Sequence, residues 1–243
     1  MKILIWAERK KLRRSKIVLT AVFATVMVAV IVFAQGQFVF NGSRYVDSAG
    51  WFMTTAQSLA TFYVLPAVIA LVGSYMICRE EQEDTQKSLH MIPIDETRLT
   101  TAKMIVLLAF SVLIYLLLFV ITFLCEVVLH FEALTAAMIF TFFKVYLLDG
   151  IGVFLAVAPI VALVAWIKKS YWLALVFAEI YSFTGLFVSM SSMLKTFYPI
   201  TAAFNLSGYY EASTTQIIGS VISLILCGCL AVAILAGLKR RTH

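Results

Sequence analysis

The chain has 243 residues, 62% of them hydrophobic and only 13% charged, with a formal net charge of +6. An ordinary soluble domain carries about 45–50% apolar and about 25% charged residues, so a soluble globule of this composition would lack the polar surface to cover itself. The apolar runs are continuous and do not alternate with period two, which favours membrane helices over a barrel. The basic residues gather at the ends of those runs, a pattern that argues against nucleic acid as a partner.

In chain order, residues 1–16 are amphipathic. Ile3, Leu4, Trp6 and Ala7 make an apolar side, and Arg9, Lys10, Lys11, Arg13, Arg14 and Lys16 make a dense basic block. Such a segment is expected to lie in the membrane interface among lipid head groups. No small-residue cleavage pattern follows the first apolar run, so a cleaved secretory signal is not expected. Six spans follow, at about 17–37, 56–78, 102–125, 137–166, 171–193 and 216–238. Pro66 interrupts the second. The fourth contains Gly150, Gly152 and Pro159 and exceeds the roughly 20 residues a straight span needs, so it should tilt, kink or extend beyond the membrane.

Orientation follows from Lys and Arg. Arg44, Lys144 and Lys195 apart, all of them fall in the N-terminal segment, residues 79–103, the pair Lys168–Lys169, or the tail from Lys239 to Arg241. Both termini and loop 79–103 are therefore expected in the cytoplasm, with the chain multi-pass in the plasma membrane. The segments on the other side are modest. Tyr198, Phe204, Tyr209 and Tyr210 in the last of them suit the membrane–water boundary, either as anchors or as a substrate gate.

Loop 79–103, REEQEDTQKSLHMIPIDETRLTTAK, is the only long, strongly polar stretch between the ends. It cannot sit in hydrocarbon and must project into water. A charged run precedes a short helix expected near 85–91, with Leu89 and Ile92 as its apolar edge. Pro93 stops that helix, and Asp95 can cap the next. The loop is either a lever docked on a soluble partner or a solvated connector.

Ionisable residues in or near the bilayer are few. Glu126 and Glu132 bracket the third distal segment and are expected in head groups or water. Lys144 is expected to snorkel, with Asp149 deeper and on another face. Glu179 lies within the fifth span, where a buried acid costs several kcal/mol unless paired, protonated or wet. It either lines a substrate path or makes an interhelical hydrogen bond. His90, His130 and His243 read as solvated. Cys78, Cys125, Cys227 and Cys229 read as small apolar helix residues, with no metal or disulfide spacing. No phosphate-binding loop, HExxH or GxSxG occurs, so nothing marks the chain as an enzyme.

Taken together, the AERKKLRRSKI stretch before the first span, the acidic REEQEDTQKSLHMIPIDETRLTTAK after the second, the short distal segments and the basic tail GLKRRTH resemble the six-helix permease subunits of type-2 ABC exporters. Within these the chain is most similar to the bacitracin-resistance and lantibiotic-immunity permeases. The resemblance implies an all-α polytopic fold, with 1–16 as an elbow helix on the inner leaflet and 17–243 as a six-helix transmembrane domain with coupling loop 79–103. It implies that Glu80, Glu81, Glu83, Asp84, Leu89 and Ile92 form the coupling surface for a separate ATPase. Two ATPase copies, holding ATP and Mg, would serve two paired permeases, identical or related, and this chain would bind no cofactor itself. The substrate would be a peptide antibiotic or another amphipathic molecule, with Glu179 and Asp149 as candidate path residues. A secondary transporter, or a membrane-anchored docking protein without ATP coupling, is the alternative; the former would need more mid-membrane acids than these.

Overall fold

The computed structural model describes residues 1–40, 43–82, 96–167 and 171–242. Its helices are α1 (Lys2–Arg13), α2 (Lys16–Gly36), α3 (Trp51–Leu59), a π-helical turn (Ala60–Val64), α4 (Leu65–Gln82), α5 (Glu96–His130), α6 (Ala136–Ile167), α7 (Trp172–Val188), α8 (Ser192–Phe197), α9 (Pro199–Ser207) and α10 (Thr214–Thr242). A two-residue antiparallel pairing of Val39–Phe40 with Ser43–Arg44 closes the turn after α2. The protein is an all-α polytopic membrane protein. Among the described residues, five helical stretches are long and apolar enough to cross a membrane: Lys16–Gly36, Trp51–Arg79, Arg98–Ala133, Ala136–Val164 and Thr214–Gly237.

The remaining expected span, 171–193, is shorter than its sequence suggested. α7 has 17 residues, about 26 Å at helical rise against about 30 Å of hydrocarbon. It stops because the serines after it turn the backbone back on itself. Ser189 Oγ donates to the Leu186 carbonyl at 2.6 Å, and the Ser191 amide donates to Val188. Such local bonds compete with the helix ladder.

α1 packs on α5. Glu8 and Leu12, one turn apart, are its buried residues, while Ile3 and Trp6 stay exposed. Ser15 separates α1 from α2 and caps the latter by accepting from the Ile17 amide at 3.4 Å.

α6 is the centre of the bundle, packing on α4, α5, α7, α9 and α10. It continues through Pro159. Small residues let its neighbours approach, as membrane packing requires. A Cβ at Gly150 would meet the Val112 Cα of α5 at 2.9 Å, and one at Gly152 would meet the Ala203 Cβ of α9 at 2.8 Å. Of the five spanning stretches, α2 and α10 bury the least; Leu19, Phe23 and Val30 on one and Ile225, Leu226 and Val232 on the other face outward.

One expectation is corrected here. Residues 194–215 are not wholly a surface segment of interfacial aromatics. α8 and α9 form a helical hairpin in which α8 stays largely exposed and α9 is buried in the bundle, while Tyr198, Tyr209 and Tyr210 remain half-buried. Phe204 is fully buried, 4.8 Å in ring centroid from Phe62 and 4.6 Å from Tyr209. Irregular backbone at membrane depth is tolerated only where protein covers it, and α9 meets that condition from Ile200 to Asn205.

Candidate functional site

A column of polar contacts runs along one face of α3 into the π turn. Gly50, Met53, Gln57 and Thr61 are spaced three, four and four apart, so they share a face. Each meets a different polar group from α5 or α6. The Gly50 amide donates to Glu126 Oε1 at 2.6 Å. The Met53 carbonyl accepts from the Tyr146 hydroxyl at 2.7 Å. Gln57 Nε2 donates to Asp149 Oδ2 at 2.6 Å. Thr61 Oγ1 and the Tyr115 hydroxyl lie 2.9 Å apart.

The π turn has a local cause. Pro66 brings no N–H and would clash with the carbonyl four residues before it. The helix widens just ahead of it, and the Leu65 amide bonds Ala60, five residues back. The Thr61 carbonyl is thereby released from the ladder, and Ser182 Oγ of α7 donates to it at 2.9 Å. Widened turns of this kind recur at functional sites. The site therefore ties α3 and the π turn to α5, α6 and α7 along its length.

Asp149 is one of two carboxylic acids in this column, with Glu126, and is fully buried. It lies one turn from Tyr146, on the inward face of α6, while Lys144 is exposed. The hydroxyl of Ser207, at the end of α9, lies against its carboxylate but donates to the Phe204 carbonyl at 3.2 Å. Asp149 Oδ1 is thus buried without a hydrogen-bond partner among the described residues. A buried acceptor of this kind can take a proton or a donor from a passing substrate, or it can serve packing alone.

Glu126 corrects a second expectation. It is fully buried, not in head groups. Its Oε1 serves both the Gly50 amide and His130 Nδ1, the latter at 3.1 Å. Gly50 adopts φ +83, which favours glycine, and its amide is aimed inward as α3 begins. His130 is accordingly half-buried and partnered, not solvated.

Glu179 is not part of the column. α7 buries Ala174, Ala178, Ser182 and Gly185, and Glu179 sits on the flank of that stripe, half-buried, without a hydrogen-bond partner among the described residues. The structure does not bring it to Asp149. Of the proposed coupling residues, Glu83, Asp84, Leu89 and Ile92 lie outside the described residues. Glu80 and Glu81 fall in the last turn of α4, their side chains also outside. No three His, Cys, Asp or Glu converge as a metal set among the described residues. Sequence reasoning missed Gln57, Tyr115 and Tyr146. Gln57 left a signal, being the one amide within an apolar run that also carries Pro66.

Residues 4–185 match the family model described as ABC-2 family transporter protein. The chain belongs to that family. Over 149 residues it is 30% identical to the bacitracin transport permease protein of Bacillus licheniformis, an alignment covering 60% of this chain and 71% of the relative. As an ABC-2 permease it is a membrane subunit and not the ATPase, and membership implies an ATPase partner and a paired permease.

Proposed function

We propose that this permease is the membrane half of an ATP-driven exporter that expels a peptide antibiotic or another amphipathic substrate. The likeness to a bacitracin transport permease carries this reading. In it, α1 is the elbow on the inner leaflet of the plasma membrane and both termini are cytoplasmic. Glu80, Glu81, Glu83, Asp84, Leu89 and Ile92 dock two ATPase copies that hold ATP and Mg. A second permease, identical or related, completes the path, and Asp149 lines it where α3, α6 and α9 meet. Glu179 is assigned to the rim of that path.

The experiment is co-purification in mild detergent. The permease should bring down an ATPase and show no ATP turnover alone. Leu89→Asp and Ile92→Asp should leave membrane expression intact. Burial of such a side chain in a partner's groove is worth about 1.5–3 kcal/mol, so each change should weaken ATPase retention by about 10–150-fold. Full retention by both variants would reduce the loop to a connector and favour a carrier without ATP coupling.

Orientation is tested by impermeant thiol labelling in intact cells. Ser48→Cys and Glu211→Cys, both exposed beside the column's Glu126 end of the bundle or the start of α10, should label from outside. Ser88→Cys should not. Labelling at position 88 would overturn the topology and the coupling role together.

A further inference from the structure

Two cavities open beside the basic N-terminal segment, the first where α2, α4 and α7 meet the α1–α2 corner and the second between α1 and the end of α4. One, about 370 Å³, is lined by Arg14, Lys16 and Arg79 together with Thr20, the buried Leu71 and the exposed Trp172. The other, about 380 Å³, is lined by Trp6, Lys10 and Lys11, and shares Arg14 and Arg79 with the first. No carboxylate lines either cavity among the described residues. Among the described residues, Glu8 beside the second cavity is buried and bonded to Lys11 at 2.9 Å.

The rim is held in place by its surroundings. Ser15 Oγ donates to the Tyr75 hydroxyl at 3.1 Å, joining the α1–α2 corner to α4. The Arg79 guanidinium stands 5.7 Å from the centre of the Tyr75 ring, and Lys10 Nζ stands 4.5 Å over Trp6. Cations braced on aromatic faces lose less freedom when an anion arrives.

The depth of the first cavity identifies its occupant. Its rim lies where α2 begins and α4 leaves the membrane, so the cations are at head-group level. Thr20 lies one turn further along α2 than Lys16, and Leu71 lies eight residues before Arg79 on α4, about 12 Å further into its span. A soluble phosphate would use only the rim. A phospholipid uses the rim for its phosphate and the apolar depth for its chains. We infer that the Arg14–Lys16–Arg79 cavity is a binding site for one anionic phospholipid, whose phosphate bridges the α1–α2 corner to α4. The site stands apart from the transported substrate and from the exporter reading. It places a lipid at Arg79, where α4 leads into loop 79–103.

The test uses the full-length permease in mild detergent, with retained lipid measured by native mass spectrometry. Phosphatidylglycerol should be retained in preference to phosphatidylcholine at equal concentration. A basic residue near a phosphate-bearing surface contributes about fivefold, so Arg14→Gln/Lys16→Gln should lower phosphatidylglycerol retention by about 25-fold. Both side chains are exposed, and their loss leaves the core untouched. Arg240→Gln/Arg241→Gln, the same change in net charge, should alter retention by less than about twofold. Thr20→Trp, which fills the apolar part below an intact rim, should also lower retention. Equal loss in both charge variants would overturn the site in favour of diffuse surface attraction. Equal retention of the two lipids, or full retention by Thr20→Trp, would overturn the lipid assignment. Displacement of phosphatidylglycerol by millimolar inorganic phosphate would make it a site for free phosphate instead.

Discussion

Gly150→Val is expected to remove the folded permease from the membrane fraction. A Cβ at this position would meet the Val112 Cα at 2.9 Å and the Ser111 carbonyl oxygen at 3.3 Å. Both are backbone atoms of α5 and cannot rotate aside. α5 and α6 must separate, and the 2.6 Å bond from Ser111 Oγ to the Gly150 carbonyl is lost with them. Overpacking costs about 1–3 kcal/mol and occasionally more, and the lost bond adds about 1 kcal/mol. A total of about 2–4 kcal/mol is a large part of the roughly 5–15 kcal/mol that holds a typical protein folded. Gly150→Ala should be intermediate. Gly228→Ala should be nearly silent, because its nearest contact would be a Leu155 methyl at 3.4 Å. Size-exclusion profiles and melting temperatures in detergent would rank the three. A Gly150→Val protein as stable as its parent would show that α5 and α6 do not approach this closely.

Asp149→Leu should be the most damaging change within the polar column. It removes the acceptor of Gln57 Nε2, and Gln57 is only 1% exposed. An orphaned buried donor costs about 1–3 kcal/mol, whereas removing both partners of such a pair can be close to neutral. Asp149→Asn keeps an oxygen facing Gln57 and should be mild. The double variant Gln57→Leu/Asp149→Leu should therefore recover much of the stability lost in Asp149→Leu. Transport separates packing from function. If Asp149 lines the path, the double variant is stable and inactive. If Asp149 serves packing alone, activity returns with stability. A double variant less stable than Asp149→Leu would show that the pair is not coupled as described.

The spans were legible because burying a charge in hydrocarbon costs so much that the apolar runs and their basic ends must mark them. Lys16 to Gly36 and Thr214 to Thr242 fall close to the stretches expected. Pro66 was read correctly as a disturbance, though not as a widened turn whose released carbonyl Ser182 would take up. Pairing between distant residues was not legible. Nothing near Glu126 in sequence says that a glycine amide 76 residues earlier will hold it. Phe204 looked interfacial because aromatic residues suit both a boundary and a core; the approach of Gly152 to Ala203 and the packing of Phe62 against Phe204 decide for the core. The coupling residues rest on family resemblance, since composition alone leaves loop 79–103 equally able to be a lever or a tether.

The α8–α9 hairpin has a consequence for biosynthesis. α8 ends before Pro199 with Tyr198 extended, so the carbonyls of Lys195, Thr196 and Phe197 lose their helical partners. Lys195 is served from within the hairpin, by Thr201 Oγ1 at 2.7 Å and Asn205 Nδ2 at 3.3 Å. Thr196 and Phe197 are not. Their donors are Ser220 Oγ at 3.1 Å and Ser223 Oγ at 2.6 Å, both on α10. Each unsatisfied group in lipid costs several kcal/mol, so the hairpin has no settled place in the bilayer until α10 stands beside it. A nascent chain extended only as far as residue 213 would keep α8 and α9 at the membrane surface or in the hands of the insertion machinery. They would enter the bundle in one step when α10 is released laterally into lipid. The polar column, whose partners all precede residue 190, would then form before the hairpin is seated by the last span.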